Sequence, residues 1–217
     1  MAFAGSSASV AALTGRDTNL ADLGASFVAI TPTPGTGIIG HAAPTTFDET
    51  KAYFHLYNAG SLTIYPAYLK LHVTVVSVAA VRVQFTQTLD SGADRRTSGG
   101  TALTINNTNM ASGVLSGASA YVGAVTTAAA TGNRRVISHQ VYRSVIDVVE
   151  DEYTFTWGGP ALPLHASLAT AGTAISHVAH GFMPVAVGPG QSFDIFQWAG
   201  SQSTGPTLMV EFGFYAK

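Results

Sequence analysis

The densest acidic group in this sequence is Glu150-Asp151-Glu152, with Asp147 nearby. Carboxylate oxygens in such a loop could hold calcium, but the spacing of a helix–loop–helix calcium site is absent. We interpret the cluster as a turn between two strands, or as the partner of Arg134, Arg135 or Arg143 across a subunit boundary. Two carboxylates in a cleft could also hydrolyse a glycosidic bond, but twelve acidic residues allow many pairs, so this chemistry has no specific support.

The seven histidines are the next candidates, because imidazole is a common metal ligand. The closest pair is His177 and His180, which are three positions apart. On a strand, side chains with this spacing point to opposite faces, so the two cannot share one ion. The remaining histidines are scattered along the chain. The sequence therefore predicts no metal site and no other cofactor.

Residues 35–40, Gly-Thr-Gly-Ile-Ile-Gly, match the glycine pattern of a dinucleotide-binding turn. That turn requires a strand before it, a helix after it and an acidic residue about 20 positions further on. Here a Thr-Pro repeat precedes the glycines, Pro44 follows them, and no acidic residue stands at the expected distance. No Gly-x-Ser-x-Gly motif is present either. We therefore expect no nucleotide site and no enzymatic activity.

The composition points to binding rather than catalysis. Hydrophobic residues make up 47% of the chain and charged residues only 10%, against about 25% charged residues in an average soluble domain. No apolar stretch approaches the roughly 20 residues of a membrane-spanning helix. The net charge is −2 and no basic stripe exists, so we expect neither a membrane nor a nucleic-acid partner. A surface covered by other subunits explains the shortage of charge, because interface cores are depleted of it.

The N-terminal region adds two expectations about the compartment. It has no basic segment before a continuous apolar core, so we predict no secretion signal. The sequence contains no cysteine, which fits synthesis in a reducing cytoplasm.

The elements that would carry these residues are predicted to be strands. From Lys51 onward, apolar residues recur at every second position, which is typical of half-buried strands. We predict an all-β fold, a single jelly-roll-like β-sandwich over residues 46–217, with a long polar loop over residues 90–109. Residues 1–45 are low in charge and contain a Thr-Pro repeat, so we predict an extended N-terminal arm there. Short helical turns are expected near residues 20–27.

Several predicted strands carry aromatic side chains on both faces. In the segment 191–198, for example, Phe196 lies on the face opposite to Phe193. In a monomeric sandwich the outer face of each sheet is exposed to water and is polar. We therefore expect another chain, the arm, or loops of the same chain to cover the aromatic outer face in this protein. An arginine pair in the polar loop is predicted to form a rim or intersubunit salt bridge. The predicted interface residues are Tyr53, Tyr57, Arg95, Arg96, Phe196 and Trp198.

Residues 98–104, Ser-Gly-Gly-Thr-Ala-Leu-Thr, are followed by Asn-Asn-Thr-Asn-Met at 106–110. This segment resembles a turn in small virion proteins of tailed bacteriophages, where it follows a strand and leads to an Asn-rich stretch. Residues 187–192 and 208–215 are similar as well, and the resemblance covers residues 50–217. It implies a β-sandwich subunit of the particle, such as a capsid decoration protein, a head fibre or a tail component, and it carries over no catalytic residue.

We therefore predict a virion structural protein, most simply a capsid decoration or cement subunit, that is assembled in the host cytoplasm and binds copies of itself and other virion proteins. One alternative is a carbohydrate- or receptor-binding fibre module, in which Tyr53, Tyr57 or Trp198 would form an aromatic platform for sugar. Another is the main shell protein of a small virus. The net charge of −1 over residues 1–45 argues against packaging of nucleic acid by the arm.

Overall fold

The computed structural model describes residues 19–42, 46–76, 83–129, 132–143, 149–158, 164–167, 176–198 and 205–217, with the backbone alone at 83, 141–143, 164–167 and 176–179. These residues form two packed β-sheets and one short helical turn at residues 19–22. No helix in the described part of the chain is long and apolar enough to cross a membrane.

The strands fall along the chain with short connections. In order they are β1 Ser26–Ile30, β2 Ile38–Ile39, β3 Lys51–Asn58, β4 Ile64–Val75, β5 Val83–Asp90, β6 Arg96–Ala102, β7 Thr104–Asn107, β8 Ala118–Thr127, β9 Arg134–Arg143, β10 Glu152–Trp157, β11 Leu164–Ser167, β12 Ser176–Phe182, β13 Ser192–Trp198 and β14 Thr207–Ala216.

One sheet has six strands in the order β6-β8-β3-β13-β5-β9, and the other has the order β11-β12-β10-β4-β14-β1-β7, with β2 beside β14. The pair β10–β12 is parallel, and the other pairs of the described strands are antiparallel. Leu103 alone separates β6 from β7, so these two edge strands lie together at one side of the sandwich. The all-β sandwich predicted from the sequence is confirmed, whereas the jelly-roll connectivity remains a prediction.

The core lies between the sheets and consists of the alternating apolar residues of both. Tyr153, Phe155 and Trp157 of β10 face Phe193 of β13 and neighbouring rings, with Trp157 packed edge-on against Phe193 at 5.5 Å between ring centroids. Because side chains alternate along a strand, every second residue of these strands lies in the core between the two sheets. The final strand behaves in the same way, with Phe212 stacked near Phe214 in the core.

Two predicted boundaries differ from the structure. Residues 26–30 and 38–39, placed in the arm by the sequence, are strands β1 and β2, and β1 lies inside its sheet between β14 and β7. The segment is too short to show a clear period, and its partners are distant in sequence. Residues 1–18 of the predicted arm lie outside the described part. Within residues 90–109, predicted as a loop, β6 and β7 form edge strands that pair through the backbone with β8 and β1.

Candidate functional site

The outer face of the six-stranded sheet holds most of the predicted interface residues, and part of it is covered by the chain itself. Phe47, just before β3, packs edge-on against Phe196 with 5.2 Å between the ring centroids. The Arg134 guanidinium lies 5.2 Å from the Phe47 ring and pairs with Glu49 at 2.5 Å. The Thr127 hydroxyl also donates to the Glu49 carbonyl. Residues 46–50 therefore act as a cover over this part of the sheet.

A second cover is the loop at residues 90–96, which a buried histidine attaches to the sheet. His55 of β3 has no exposed side-chain surface. Its Nδ1 lies 2.6 Å from Asp194 Oδ1 on β13, and its Nε2 lies 2.9 Å from Asp94 Oδ1 on the loop. The Ser192 hydroxyl donates to the carbonyl of Ala93, which has an unusual φ of 135° for a non-glycine residue.

An ion pair closes the same loop from the other end. Asp90 is buried at the end of β5, and its Oδ2 lies 3.3 Å from Arg95 Nε, although the atoms are not aligned as a hydrogen bond. Asp90 Oδ1 accepts from the Gly92 amide, and Arg95 Nη2 donates to the Ala128 carbonyl. Burial raises the pKa of the Asp194 carboxyl, and the Asp90 carboxylate adds to the rise, whereas His55 and Arg95 lower it. We name these buried side chains of Asp90, Arg95, His55 and Asp194, together with the loop they hold, the charged clamp.

The charged clamp is a closed network. Each ring nitrogen of His55 already faces a carboxylate oxygen, so neither is available to exchange a proton with a substrate. The Ser192 hydroxyl is directed to a backbone carbonyl rather than to the histidine. The arrangement thus differs from a nucleophile–base pair and serves to fix the loop on the sheet.

The structure separates the predicted interface residues into two groups. Tyr53, Phe196 and Arg95 are buried by their own chain, so they do not offer a free surface in this fold. Tyr53 lies in the main core, because a register shift between Ala52 and Phe54 breaks the alternation of β3. It therefore offers no aromatic platform to a sugar. The other group, partly exposed, consists of Tyr57, Arg96 and Trp198.

Two residues of the partly exposed group, Arg96 and Trp198, also make contacts within the chain. The Arg96 guanidinium lies 3.7 Å from the centre of the Tyr121 ring. The Trp198 indole donates to Thr86 Oγ1 and stacks on His139 with 5.3 Å between ring centroids. Their role as an interface stays a prediction.

The described residues contain no cluster of three histidines or carboxylates that could hold a metal. In the acidic group, Glu150 pairs with His72 at 3.1 Å and Asp151 is buried, so the three acids do not share one solvated turn. The side chain of His177 lies outside the described part of the chain.

The side of the sandwich formed by β6, β7, β8 and their connecting loops has a feature that the sequence prediction missed. Residues 97–133 contain no Asp, Glu, Lys, Arg or His. We call this the uncharged side. The run can be found by scanning the sequence for charges, but its meaning depends on two edge strands and an exposed loop coming together there.

Within the uncharged side, the loop at residues 107–117 is held in place by asparagine side chains. Asn107 Nδ2 donates to the carbonyls of Gly24 and Val114, at 2.8 and 3.1 Å. Asn109 Nδ2 donates to the Asp22 carbonyl, and its Oδ1 accepts from the Ala111 amide. The short side chains of asparagine suit such local bonds to backbone groups. The loop is therefore fixed on residues 22–24 by hydrogen bonds to backbone carbonyls, without an ion pair among these contacts.

The same loop presents apolar side chains to solvent. Met110 is fully exposed, Leu115 is 84% exposed, and Leu23 of the adjacent segment is 71% exposed. Leu115 also contributes to the lining of a groove of about 410 Å³, together with Phe27 and Ile105. We call these projecting residues and the groove the apolar patch. Exposed apolar side chains next to an apolar groove are typical of a surface that binds another protein.

Comparison with models of known protein families, with curated proteins and with solved structures finds no match for this chain.

Proposed function

We propose that this chain is a structural subunit of a tailed-phage virion, namely a capsid decoration subunit that stabilises the particle by binding copies of itself and neighbouring virion proteins. The observation that carries the proposal is the apolar patch on the uncharged side. Met110 and Leu115 project from a loop whose backbone is fixed by Asn107 and Asn109. A surface that is already ordered loses little conformational entropy on binding.

The partner that suits this patch is a second copy of the chain. Residues 97–133 carry no charge, so like-charge repulsion between two copies is limited to groups outside this run, such as the exposed Asp22 beside Leu23. Each copy also offers both a projection, Met110, and a groove with Leu115 in its lining that could receive one. The resemblance of residues 98–110 to virion proteins lies in this same region, which links the proposed role to the proposed surface.

Quantitative gel densitometry of purified virions tests the role. We expect a copy number that matches the subunits or the local symmetry axes of the shell lattice. A copy number that matches the tail or the portal vertex would contradict the decoration role, and the absence of the chain from particles would contradict the virion role altogether.

A further inference from the structure

A cleft of about 510 Å³ opens between the sheets next to the edge strand β9. This volume lies within the roughly 300–1,000 Å³ typical of small-molecule sites. Its two walls differ in chemistry. The wall from β5 and β9 carries Gln87, Ser138 and Gln140, and the facing wall carries Trp157, Phe182 and Val185.

The polar wall contains buried groups without hydrogen-bond partners. Gln87 is only 1% exposed, and its Oε1 accepts from the Trp157 indole at 3.0 Å, which identifies the oxygen of the amide. Its Nε2 has no partner, and neither has the buried Ser138 Oγ. A buried polar group without a hydrogen-bond partner destabilises the folded state, so two of them at one cleft point to a ligand that completes their hydrogen bonds.

The walls also limit the charge of the ligand. No Asp, Glu, Lys or Arg is among the described residues that line the cleft, and the histidine of the lining, His139, stacks on Trp198 and bonds to Thr86 through Nδ1. A charged ligand would lose its hydration there without gaining an opposite charge. The occupant is therefore neutral, with hydroxyl groups on one side and an apolar surface on the other.

The geometry of β9 favours a small molecule over a peptide strand. Gln87 pairs with Ser138 and Thr88 with Val136, so Ile137 is an extra residue in a bulge. A bulge interrupts the regular ladder that an added strand would need. The side chain of Ile137 instead contributes to the lining of the cleft.

We propose that this cleft binds a neutral mono- or disaccharide. Sugar hydroxyls would bond to Gln87 Nε2 and Ser138 Oγ, while the C–H face of the ring would pack on the partly exposed Phe182, with the buried Trp157 at the base of the cleft as a nearby reporter. This site is separate from the apolar patch and does not depend on the proposed role in the virion.

Tryptophan fluorescence provides the test, because the chain has only Trp157 and Trp198. The Trp198→Phe variant keeps Trp157 as its only reporter. It is screened on an array of neutral mono- and disaccharides, and the sugars that bind are titrated while Trp157 emission is recorded. We expect a saturable change in emission.

Two variants in this background localise the site. Ser138→Ala and Gln87→Leu are each expected to weaken binding roughly tenfold, the effect of one lost hydrogen bond. Gln84→Ala, on the same strand but outside the lining, is the matched control and is expected to bind normally. If Gln87→Leu does not fold, Ser138→Ala decides alone.

Three results would overturn the proposal. They are an array without any neutral sugar bound, sugar binding that Ser138→Ala leaves intact, and a Trp157 response to peptides or apolar dyes only.

Discussion

Two loops are fixed on the sandwich by opposite means. Residues 90–96 are held by the charged clamp, and residues 107–117, which carry the apolar patch, are held by neutral side chains. In the clamp, the buried Asp90 and Arg95 form an ion pair, and the buried His55 is hydrogen-bonded to Asp94 of the loop. In the patch, Asn107 and Asn109 hold the loop with neutral amides while Met110 and Leu115 face outward.

The difference shows where a chain with only 10% charged residues places its charges. Several of them are buried in the clamp, where they stabilise the fold, and none lies in residues 97–133. A loop held by amides can be rigid and still approach an apolar partner without the desolvation of charges. Two classes of variant should therefore behave differently, one changing folding and the other association.

The largest expected effect is at Asp90. The change Asp90→Ala leaves the buried Arg95 guanidinium without its carboxylate, which is expected to lower the free energy of unfolding by about 3–5 kcal/mol. Urea unfolding measures it. The control is Lys51→Ala, which breaks the partly exposed pair with Asp48 and should cost about 1 kcal/mol or less. Equal losses for the two variants would mean that the clamp is no stronger than a surface pair.

A smaller effect is expected where the apolar patch joins the body of the protein. Gly24 has a φ of 68°, and a Cβ added there would lie 2.5 Å from Ser112 Cβ. Gly24→Ala should therefore lower the free energy of unfolding by about 1–3 kcal/mol. Gly113→Ala, in the 107–117 loop that Gly24 contacts but with open space around it, should change the free energy of unfolding by about 0.5 kcal/mol or less. A thermal or urea melt in which both variants match the unaltered chain would show that the loop is not held at Gly24.

The third prediction concerns the pH dependence of the clamp. Burial raises the pKa of Asp194 in the folded protein above the 3.8 of the unfolded chain. Above pH 3.8 the native state then binds more protons than the unfolded state, so the free energy of unfolding falls as pH rises. This contribution of Asp194 is fully present below pH 3.8 and is lost as pH rises through the raised pKa.

The check is unfolding of the unaltered chain and of Asp194→Asn across this range. As the pH rises from 3.8, the free energy of unfolding of the unaltered chain should fall relative to that of the variant. If this difference in the free energy of unfolding stays constant or grows with pH, the raised pKa of Asp194 is contradicted.

Much of the fold could be predicted from the sequence because aromatic and branched residues alternate strongly in the central strands. Residues 153–157 and 208–215 are examples, and they became β10 and β14. The edge strands could not be found in this way. The segment at 96–102 contains Ser98, Gly99 and Gly100, which have little strand preference, and its pairing with β8 depends on backbone hydrogen bonds.

The candidate sites were harder to predict because they depend on long-range neighbours. His55 and Asp194 are far apart in sequence and meet only because β3 pairs with β13. Tyr53 was expected on the outer face and is buried in the core, since a bulge changes the phase of the strand. The uncharged run at 97–133 was visible in the sequence, but the exposure of Leu115 follows from the asparagine bonds of its loop.

The mass of the protein in solution tests the central claim, that the apolar patch joins copies of this chain, most directly. In sedimentation equilibrium, the unaltered chain is expected to form a multiple of its 22.4 kDa monomer. Leu115→Glu should shift the equilibrium toward the monomer. The free energy of unfolding of the variant should change by about 0.5 kcal/mol or less, because the Leu115 side chain is exposed. Val136→Glu, exposed on the opposite side, should leave the assembly intact. An unaltered chain that stays monomeric at every concentration, or an assembly that Leu115→Glu does not weaken, would contradict the account.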